Sequence, residues 1–304
     1  MVTGQQKLTQ KGSNSPEINV DTSSIQEPLA ELTDAELELV QGMIDDLWNI
    51  AKVLRAERFR AGSLDLEMKE IKIYCDKDGW ADRTEVVHHD ESHQLIEEFM
   101  LLANESVATA LDKASIPHVN RVHDDPDPEK LAALREELAG NGFKVGDLTH
   151  RSEMVKLLAS LKEREDGYTI RIQLLRSLKQ ACYRPSPDGH FGLAKLHYSH
   201  FTSPIRRYSD LLEHRIFDAF IQKQGVRSAP KEPLRSPGIS ELTRSCEHIS
   251  ITERNSSEAE RDSVKIKLLE LFEREAARPD KRPFEATITD VKPHGLMVEL
   301  NGSQ

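Results

Sequence analysis

Two adjacent arginines, Arg206 and Arg207, are the residues of this sequence with the clearest chemical potential. They follow residues 202–204, Thr-Ser-Pro, and hydroxyl residues before a proline are typical of the start of a helix. The first acid after them is Asp210, although the start of a helix favours negative side chains. Two arginines are expected there if an anion shares the site, held by free backbone N–H groups and guanidinium groups together. The sequence therefore predicts a phosphate-binding site at this helix start.

The element that carries the arginines is predicted to be an amphipathic helix beginning at Ser203. Its apolar residues recur at helical spacing and are expected to form a buried face: Ile205, Tyr208, Leu212 and Ile216.

Charge is distributed unevenly along the 304 residues, whose net charge is −11. Such a total argues against a protein that coats nucleic acid with its whole surface. Between Tyr168 and Arg235, however, twelve lysines and arginines stand against five acids. This asymmetry favours a basic cleft in an otherwise acidic protein.

The elements that must position the arginines are mainly helical. A capping box, Thr33 with Glu36, begins a helix that ends in the basic turn Arg55 to Arg60. Alternating apolar residues predict two β-hairpins, within residues 64–87 and 284–300. The fold class is therefore α+β and helix-dominated, with a partial sheet. Further helices are predicted at residues 92–113, 130–140, 151–162, 169–182 and 239–276.

Several other kinds of site and location are disfavoured. Cys75, Cys182 and Cys246 are far apart, so we expect reduced thiols rather than a zinc ribbon or a disulfide framework. Residues 88–93 (His-His-Asp-Glu-Ser-His) could include metal ligands, but we expect a solvated loop and a helix N-cap. No apolar run approaches the ~18 residues of a membrane span, and no signal peptide is evident, so a cytoplasmic location is expected.

Six segments occur in the order and spacing found in one family. The chain resembles the RNB-type exoribonucleases, the ribonuclease II and ribonuclease R group, over about residues 35–300. The two most specific segments are HFTSPIRRYSDLLEHR at 200–215 and LIEEFMLLANESVA at 95–108. The others lie at residues 62–66, 121–131, 189–194 and 248–262.

The resemblance implies an activity and a set of site residues. Members of this family degrade RNA processively from a single-stranded 3′ end to nucleoside 5′-monophosphates, with magnesium held by aspartates and a metal-activated water as nucleophile. By position, Arg206 matches the family's arginine on the scissile phosphate, and Glu97 matches an acid near the terminal nucleotide. Leu66 stands where a base-stacking phenylalanine is usual. From the same motif as Arg206, three further residues are predicted to contact RNA: Arg207, Tyr208 and His200.

The resemblance also implies domain boundaries, and it does not account for the magnesium-binding residues of the family. We expect a ragged N-terminal segment at 1–30, the C-terminal part of an RNB domain at 31–278, and the start of an OB-fold RNA-binding domain at 283–304. The family's magnesium-binding aspartates belong to an N-terminal half that the resemblance does not reach. Hydrolysis is therefore expected only if that half is supplied, in a longer product or by a separate chain. The alternatives are a catalytically inactive RNA-binding fragment or scaffold, and a helical structural protein.

Overall fold

The computed structural model describes residues 33–66, 70–87, 89–162, 164, 167–226, 236–280, 286–293 and 295–300. The predicted N-terminal segment, residues 1–30, lies outside them. The chain divides into two units, residues 1–46 and 47–304. In the described part of the first unit the capping box is confirmed: Thr33 N donates to Glu36 Oε2 at 2.8 Å, and Glu36 N donates to Thr33 Oγ1 at 3.4 Å.

Helices make up most of the described chain, and none of the described helices is long and apolar enough to cross a membrane. A 3₁₀ turn covers Phe191–Leu193. In chain order the other elements are α1 (Asp34–Arg60), β1 (Glu70–Cys75), β2 (Ala81–Val87), α2 (Glu91–Lys113), β3 (Asn120–Val122), α3 (Pro128–Gly140), α4 (Arg151–Ser160), α5 (Gly167–Ser177), β4 (Cys182–Arg184), α6 (Tyr208–Lys223), α7 (Ile239–Ala277), β5 (Ala286–Lys292) and β6 (Gly295–Leu300).

The described strands form three separate antiparallel pairs, so the α+β class is confirmed. Pairs β1–β2 and β5–β6 are the two predicted hairpins. The assignment of β5–β6 to an OB-fold stays a prediction.

The third pair, β3–β4, corrects the sequence prediction of a helix through Cys182. Helix α5 ends at Ser177, and Cys182 instead begins β4. The backbone of Tyr183 explains this, because its N–H donates to Ser250 Oγ of α7 at 2.9 Å while β4 pairs with β3. These tertiary contacts outweigh the local helical preference.

The start of α6 also differs from the prediction. The helix begins at Tyr208, and Arg207 is its N-cap with an extended backbone, φ −125° and ψ 122°. Residues Ser203 to Arg207 form a separate turn, in which Arg207 N donates to Ser203 O at 3.0 Å. The carboxylate of Asp210 causes the break, because its Oδ1 accepts from Ser203 N at 2.8 Å and from Arg207 Nη2 at 2.6 Å.

Only two of the four residues predicted to form the buried face of this helix are therefore buried. Leu212 and Ile216 are buried, but Ile205 is fully exposed in the preceding turn and Tyr208 is 53% exposed. Leu212 and Ile216 belong to a core that α2, α6, α7 and β4 share. A second core joins α3, α4 and α5.

A buried carboxylate, Glu213 of α6, ties three segments together. Its Oε1 lies 2.9 Å from His118 Nδ1, and its Oε2 accepts from Val119 N at 2.9 Å. The other imidazole nitrogen, Nε2, lies 3.1 Å from Asp112 Oδ1 at the end of α2. Burial alone would lower the pKa of His118, but the hydrogen bond and charge of Glu213, aided by Asp112, raise it. The two carboxylates therefore favour the charged form of the imidazole.

Replacing Glu213 should destabilise the fold strongly. Glu213→Ala leaves the buried imidazole and the Val119 amide without their acceptor, so we expect a loss of about 3–5 kcal/mol in the free energy of unfolding. Urea denaturation at neutral pH measures it. The control is Glu258→Ala, which removes an exposed acid of α7 and should change stability by less than about 0.5 kcal/mol. Equal effects of the two substitutions would contradict the role given to Glu213.

Candidate nucleic-acid interface

A cavity of about 860 Å³ lies between the C-terminal half of α1, the face of α2 and two loops. This is the size range of a small-molecule or nucleotide site. Its walls include Leu64 to Leu66 from one loop, and Leu193, Tyr198 and Arg207 from the other. From α1 it receives Arg55, Arg58 and Phe59.

Helix α2 runs along the whole cavity. It begins at Glu91 because Asp90 is an N-cap whose side chain accepts from Ser92 N and His93 N, which confirms the predicted cap. The lining residues of this helix recur at the three- and four-residue spacing of one helical face. They are Ser92, His93, Gln94, Ile96, Glu97, Met100, Leu101 and Asn104, with His89 just before the helix.

The acids Glu97 and Glu98 of α2 meet the arginines of α1. Glu98 is buried and accepts from Arg58 Nε at 3.0 Å and from Arg58 Nη2 at 2.5 Å. Glu97 is half exposed, with one carboxylate oxygen 3.4 Å from Arg55 Nη1 and the other 3.5 Å from Arg58 Nη2. The buried pair fixes α1 against α2, whereas Glu97 presents a partly hydrated acceptor to the cavity.

The buried end of the cavity is built by Asn104 and Tyr198. Asn104 Nδ2 donates to the Tyr198 hydroxyl at 3.1 Å, and Asn104 Oδ1 accepts from Phe201 N at 3.0 Å. Burial is the main cause that raises the pKa of Tyr198. The phenol is therefore neutral, and these two hydrogen bonds hold the loop before α6 against α2.

Arg207 is the cation at this end of the cavity. Its Nη2 donates to Asp210, and its buried Nε has no hydrogen-bond partner among the described residues. A guanidinium N–H that is buried without an acceptor is costly, so the site favours a bound acceptor. The arrangement can therefore hold an anion.

The predicted site residues are only partly brought together. Leu66, Glu97 and Arg207 line the cavity, although they lie far apart in the sequence. Arg206, Tyr208 and His200 do not line it. Arg206 is exposed in the turn before α6, and Tyr208 is the first residue of that helix.

His200 lies in a polar cluster and does not line the cavity. Its Nδ1 is 2.9 Å from the Tyr183 hydroxyl, which also contacts Ser209 Oγ at 3.2 Å and Glu253 at 3.3 Å. Burial, with the nearby charge of Arg207, lowers the pKa of His200 to about 2. The imidazole is therefore neutral at physiological pH.

Several residues that line the cavity were not predicted as site residues from the sequence. Arg55 and Arg58 were interpreted only as a basic helix end, and Tyr198 was not singled out. His89 and His93 were assigned to a solvated loop. One signal could have found His93, because it precedes Glu97 by four residues and must share its helical face.

Magnesium was expected from the family resemblance, but the described residues do not fit it. No group of three or more His, Cys, Asp or Glu side chains in the described part of the chain could hold a metal ion. The acids beside the cavity are instead engaged by arginines, by Lys162 or by helix capping.

Comparisons with known proteins identify the family. The RNB domain profile matches residues 6–223, and this chain belongs to the RNB family. Ribonuclease R of Thermotoga maritima is 35% identical over 268 residues, which is 87% of this chain and 37% of that protein. Ribonuclease R of Escherichia coli is 37% identical over 223 residues, 72% of this chain and 27% of that protein. The chain thus spans about a third of the length of these relatives.

Solved structures agree with the sequence comparisons. Mycoplasma genitalium RNase R in complex with ribose methylated single-stranded RNA superposes with a TM-score of 0.75 at 27% identity, covering 88% of this chain and 41% of that one. Its apo form gives a TM-score of 0.75 at 26% identity. The predicted fold class and the resemblance to ribonuclease R are therefore confirmed.

The buried histidines predict how stability depends on pH. Burial is the main cause that lowers the pKa of His190 to about 3 and of His200 to about 2, so both stay neutral in the fold while the unfolded chain protonates them below about pH 6.5. Stability should fall as pH drops from 6.5 to 5, by up to about 1.4 kcal/mol per pH unit for each histidine. His118, whose pKa is raised, contributes a constant amount in this range.

The variant His200→Gln should therefore reduce this slope by about 1.4 kcal/mol per pH unit, measured by urea denaturation at several pH values. Leu174→Ala is the control, because it removes a fully buried, non-titrating side chain. It should lower stability at every pH and leave the slope unchanged. A slope that His200→Gln does not alter would contradict the neutral state of this imidazole.

Proposed function

We propose that this chain binds the single-stranded 3′ end of RNA in the cavity along α2. We further propose that it is the RNA-gripping part of a 3′–5′ exoribonuclease that hydrolyses RNA processively to nucleoside 5′-monophosphates. The observation that carries the proposal is the convergence of Leu66, Glu97 and Arg207 on one cavity. Membership of the RNB family and the RNA bound to the Mycoplasma genitalium relative support RNA as the ligand.

Arg207 would hold a backbone phosphate. Its buried Nε–H lacks an acceptor among the described residues, and a phosphate oxygen is the strongest acceptor that RNA offers. Asp210 keeps the guanidinium in place through a 2.6 Å hydrogen bond. The rigid fork would then meet a phosphate without first losing side-chain freedom.

Glu97 would contact the ribose rather than the phosphate. A carboxylate repels a phosphate but accepts hydrogen bonds from hydroxyl groups, and the terminal ribose of RNA carries two of them. The carboxylate is available for this because it is half exposed beside the cavity. Leu66, which lies among other aliphatic side chains, would offer an apolar wall to a base.

Arg206 is proposed to act in turnover rather than in holding RNA. It is exposed, lies outside the cavity lining, and forms no ion pair with any described residue. Such a guanidinium is free to stabilise charge on the phosphate that is cut. Tyr208 and His200 are proposed to support this part of the RNA path.

Hydrolysis would require groups from beyond the described residues. Those residues do not fit a magnesium ion, so the metal expected for the family would need ligands from elsewhere, including a separate chain that carries them. The same observation favours a second candidate function, a catalytically inactive RNA-binding fragment or scaffold. Both candidates share the cavity and differ only in turnover.

Binding tests the cavity assignment. Arg207→Ala should weaken the binding of a 3′-tailed oligoribonucleotide by about tenfold or more, because a charged hydrogen bond to phosphate is lost. It should also reduce the slope of log affinity against log salt by about one. Fluorescence anisotropy in EDTA at several salt concentrations measures both quantities.

Two arginine controls sharpen this experiment. Arg135→Ala removes an exposed arginine of α3 that does not line the cavity, and it should leave affinity unchanged. Arg206→Ala should change affinity by less than about twofold if this residue acts mainly on the transition state. If Arg206→Ala weakened binding as much as Arg207→Ala, the division of roles would be wrong.

Turnover separates the two candidate functions. The purified chain, incubated with magnesium and a 3′-tailed RNA, should release no nucleoside 5′-monophosphates, because its described residues hold no metal site. Chromatography of the products checks this. Release of monophosphates that EDTA abolishes would contradict the expectation and eliminate the inactive-fragment alternative.

A further inference from the structure

Two imidazole rings lie at the exposed end of the cavity and have no part in the function proposed above. His89 and His93 both line the cavity and both are exposed. Their ring centroids are 5.4 Å apart and their planes meet at 68°, so they contact edge to face. Ile96, also largely exposed, continues the same wall one turn further along α2.

The orientation of this pair is fixed by the helix cap. His93 Nδ1 lies 2.7 Å from Asp90 Oδ1, the atom that also accepts from the backbone of Ser92 and His93. The hydrogen bond from the Ser92 hydroxyl, followed by those from His93, holds the pKa of Asp90 well below its usual range. Because the carboxylate stays ionised, the ring of His93 is anchored at one nitrogen. A ring held in this way loses little freedom when a ligand packs against it.

The positions of the two histidines along α2 can be compared with those of the proposed RNA contacts. At 1.5 Å per helical residue, His93 lies roughly 6 Å from Glu97 and roughly 16 Å from Asn104 along the helix axis. Asn104 is buried, whereas the histidines are exposed. The imidazoles are therefore about one nucleotide further out than the ribose contact proposed for Glu97.

Stacking is an interaction that this end of the cavity can offer. The side chains of Leu66, Ile96 and Met100 line the cavity together with the imidazole rings of His89 and His93. Imidazole rings stack on unpaired bases, and such contacts tolerate every base because each has a π face. We propose that His89 and His93 form a base-stacking platform for a nucleotide of single-stranded RNA that lies outward of the nucleotide at Glu97. This inference rests on the proposed function, because it assumes that RNA occupies the cavity.

A double substitution tests the platform. His89→Ala/His93→Ala should weaken binding of a fluorescent oligouridylate of roughly ten nucleotides by about fivefold or more, measured by anisotropy in EDTA. His89→Phe/His93→Phe should retain the affinity, because it keeps the ring faces. Retention by a His89→Gln/His93→Gln variant together with loss by the Phe variant would overturn the proposal, since hydrogen bonding rather than stacking would then explain the contact.

The chain offers a matched control for these variants. His150 stands at the N-cap of α4, is exposed, and places its Nδ1 3.4 Å from Asp147 three residues earlier, as His93 does with Asp90. It does not line the cavity. His150→Ala should therefore leave RNA affinity unchanged, and circular dichroism should show that all variants are folded.

Abasic probes locate the contact on the RNA. Removing single bases from successive 3′-terminal positions should weaken binding to the unmodified chain most at one position inward from the end. At that position the loss should vanish in the double alanine variant, because the stacking partner is already gone. Additive losses at every position would contradict the platform.

The outcomes also separate this inference from the proposed function. If Arg207→Ala weakens binding while the double alanine variant binds as tightly as the unmodified chain, the platform is wrong and the RNA site stands. If the unmodified chain binds no RNA at all, both proposals are wrong.

Discussion

The buried carboxylate of Asp210 is the contact on which the rest of the site depends. It is fully inaccessible and accepts hydrogen bonds from Ser203 N, Arg207 Nη2 and Ser209 Oγ. A buried charge is tolerated only when its acceptors are filled, so the turn at Ser203, the guanidinium of Arg207 and the start of α6 must adopt one arrangement together. The same interaction occupies Nη2 of Arg207, a residue that lines the cavity. The buried Nε of this guanidinium has no acceptor among the described residues.

Helix α2 shows how burial assigns different tasks to residues of the same type. Glu97 and Glu98 are neighbours in the sequence, yet Glu98 is sealed against Arg58 while Glu97 is half exposed at the cavity. The side chain of Asp90 caps the helix and also holds the ring of His93. Asn104 satisfies the loop that carries Tyr198 and Phe201. One helix therefore contributes both to the shape of the cavity and to the chemistry of its wall.

The sequence predicted the parts of this structure that local signals determine. The Thr33 capping box, the extent of α2 and the hairpin β1–β2 follow from spacing and turn residues alone. The helix expected through Cys182 and the start expected at Ser203 were wrong. The backbone of Tyr183 is bound by Ser250 of α7, and the backbone of Ser203 is bound by the side chain of Asp210 in the first turn of α6. The cavity was harder still to predict from the sequence. Leu66, Glu97 and Arg207 were selected by family resemblance, but no periodicity links them to Arg58 or to Tyr198, which join the site through contacts between distant segments.

The balance of charge in the cavity limits how an RNA strand would be held there under the proposed function. Each arginine that lines it has a carboxylate partner: Arg58 with Glu98, Arg55 with Glu97, and Arg207 with Asp210. Such a wall attracts phosphates weakly at long range, which suits a chain whose net charge is −11. Under the proposed function, RNA would be held instead by a few directed N–H groups, by hydroxyl contacts at the ribose and by apolar or ring surfaces at the bases. These features repeat in every nucleotide whatever its base. Under the proposed function, a site built from them would bind each register of a strand about equally, so that an advance by one nucleotide would exchange like contacts for like.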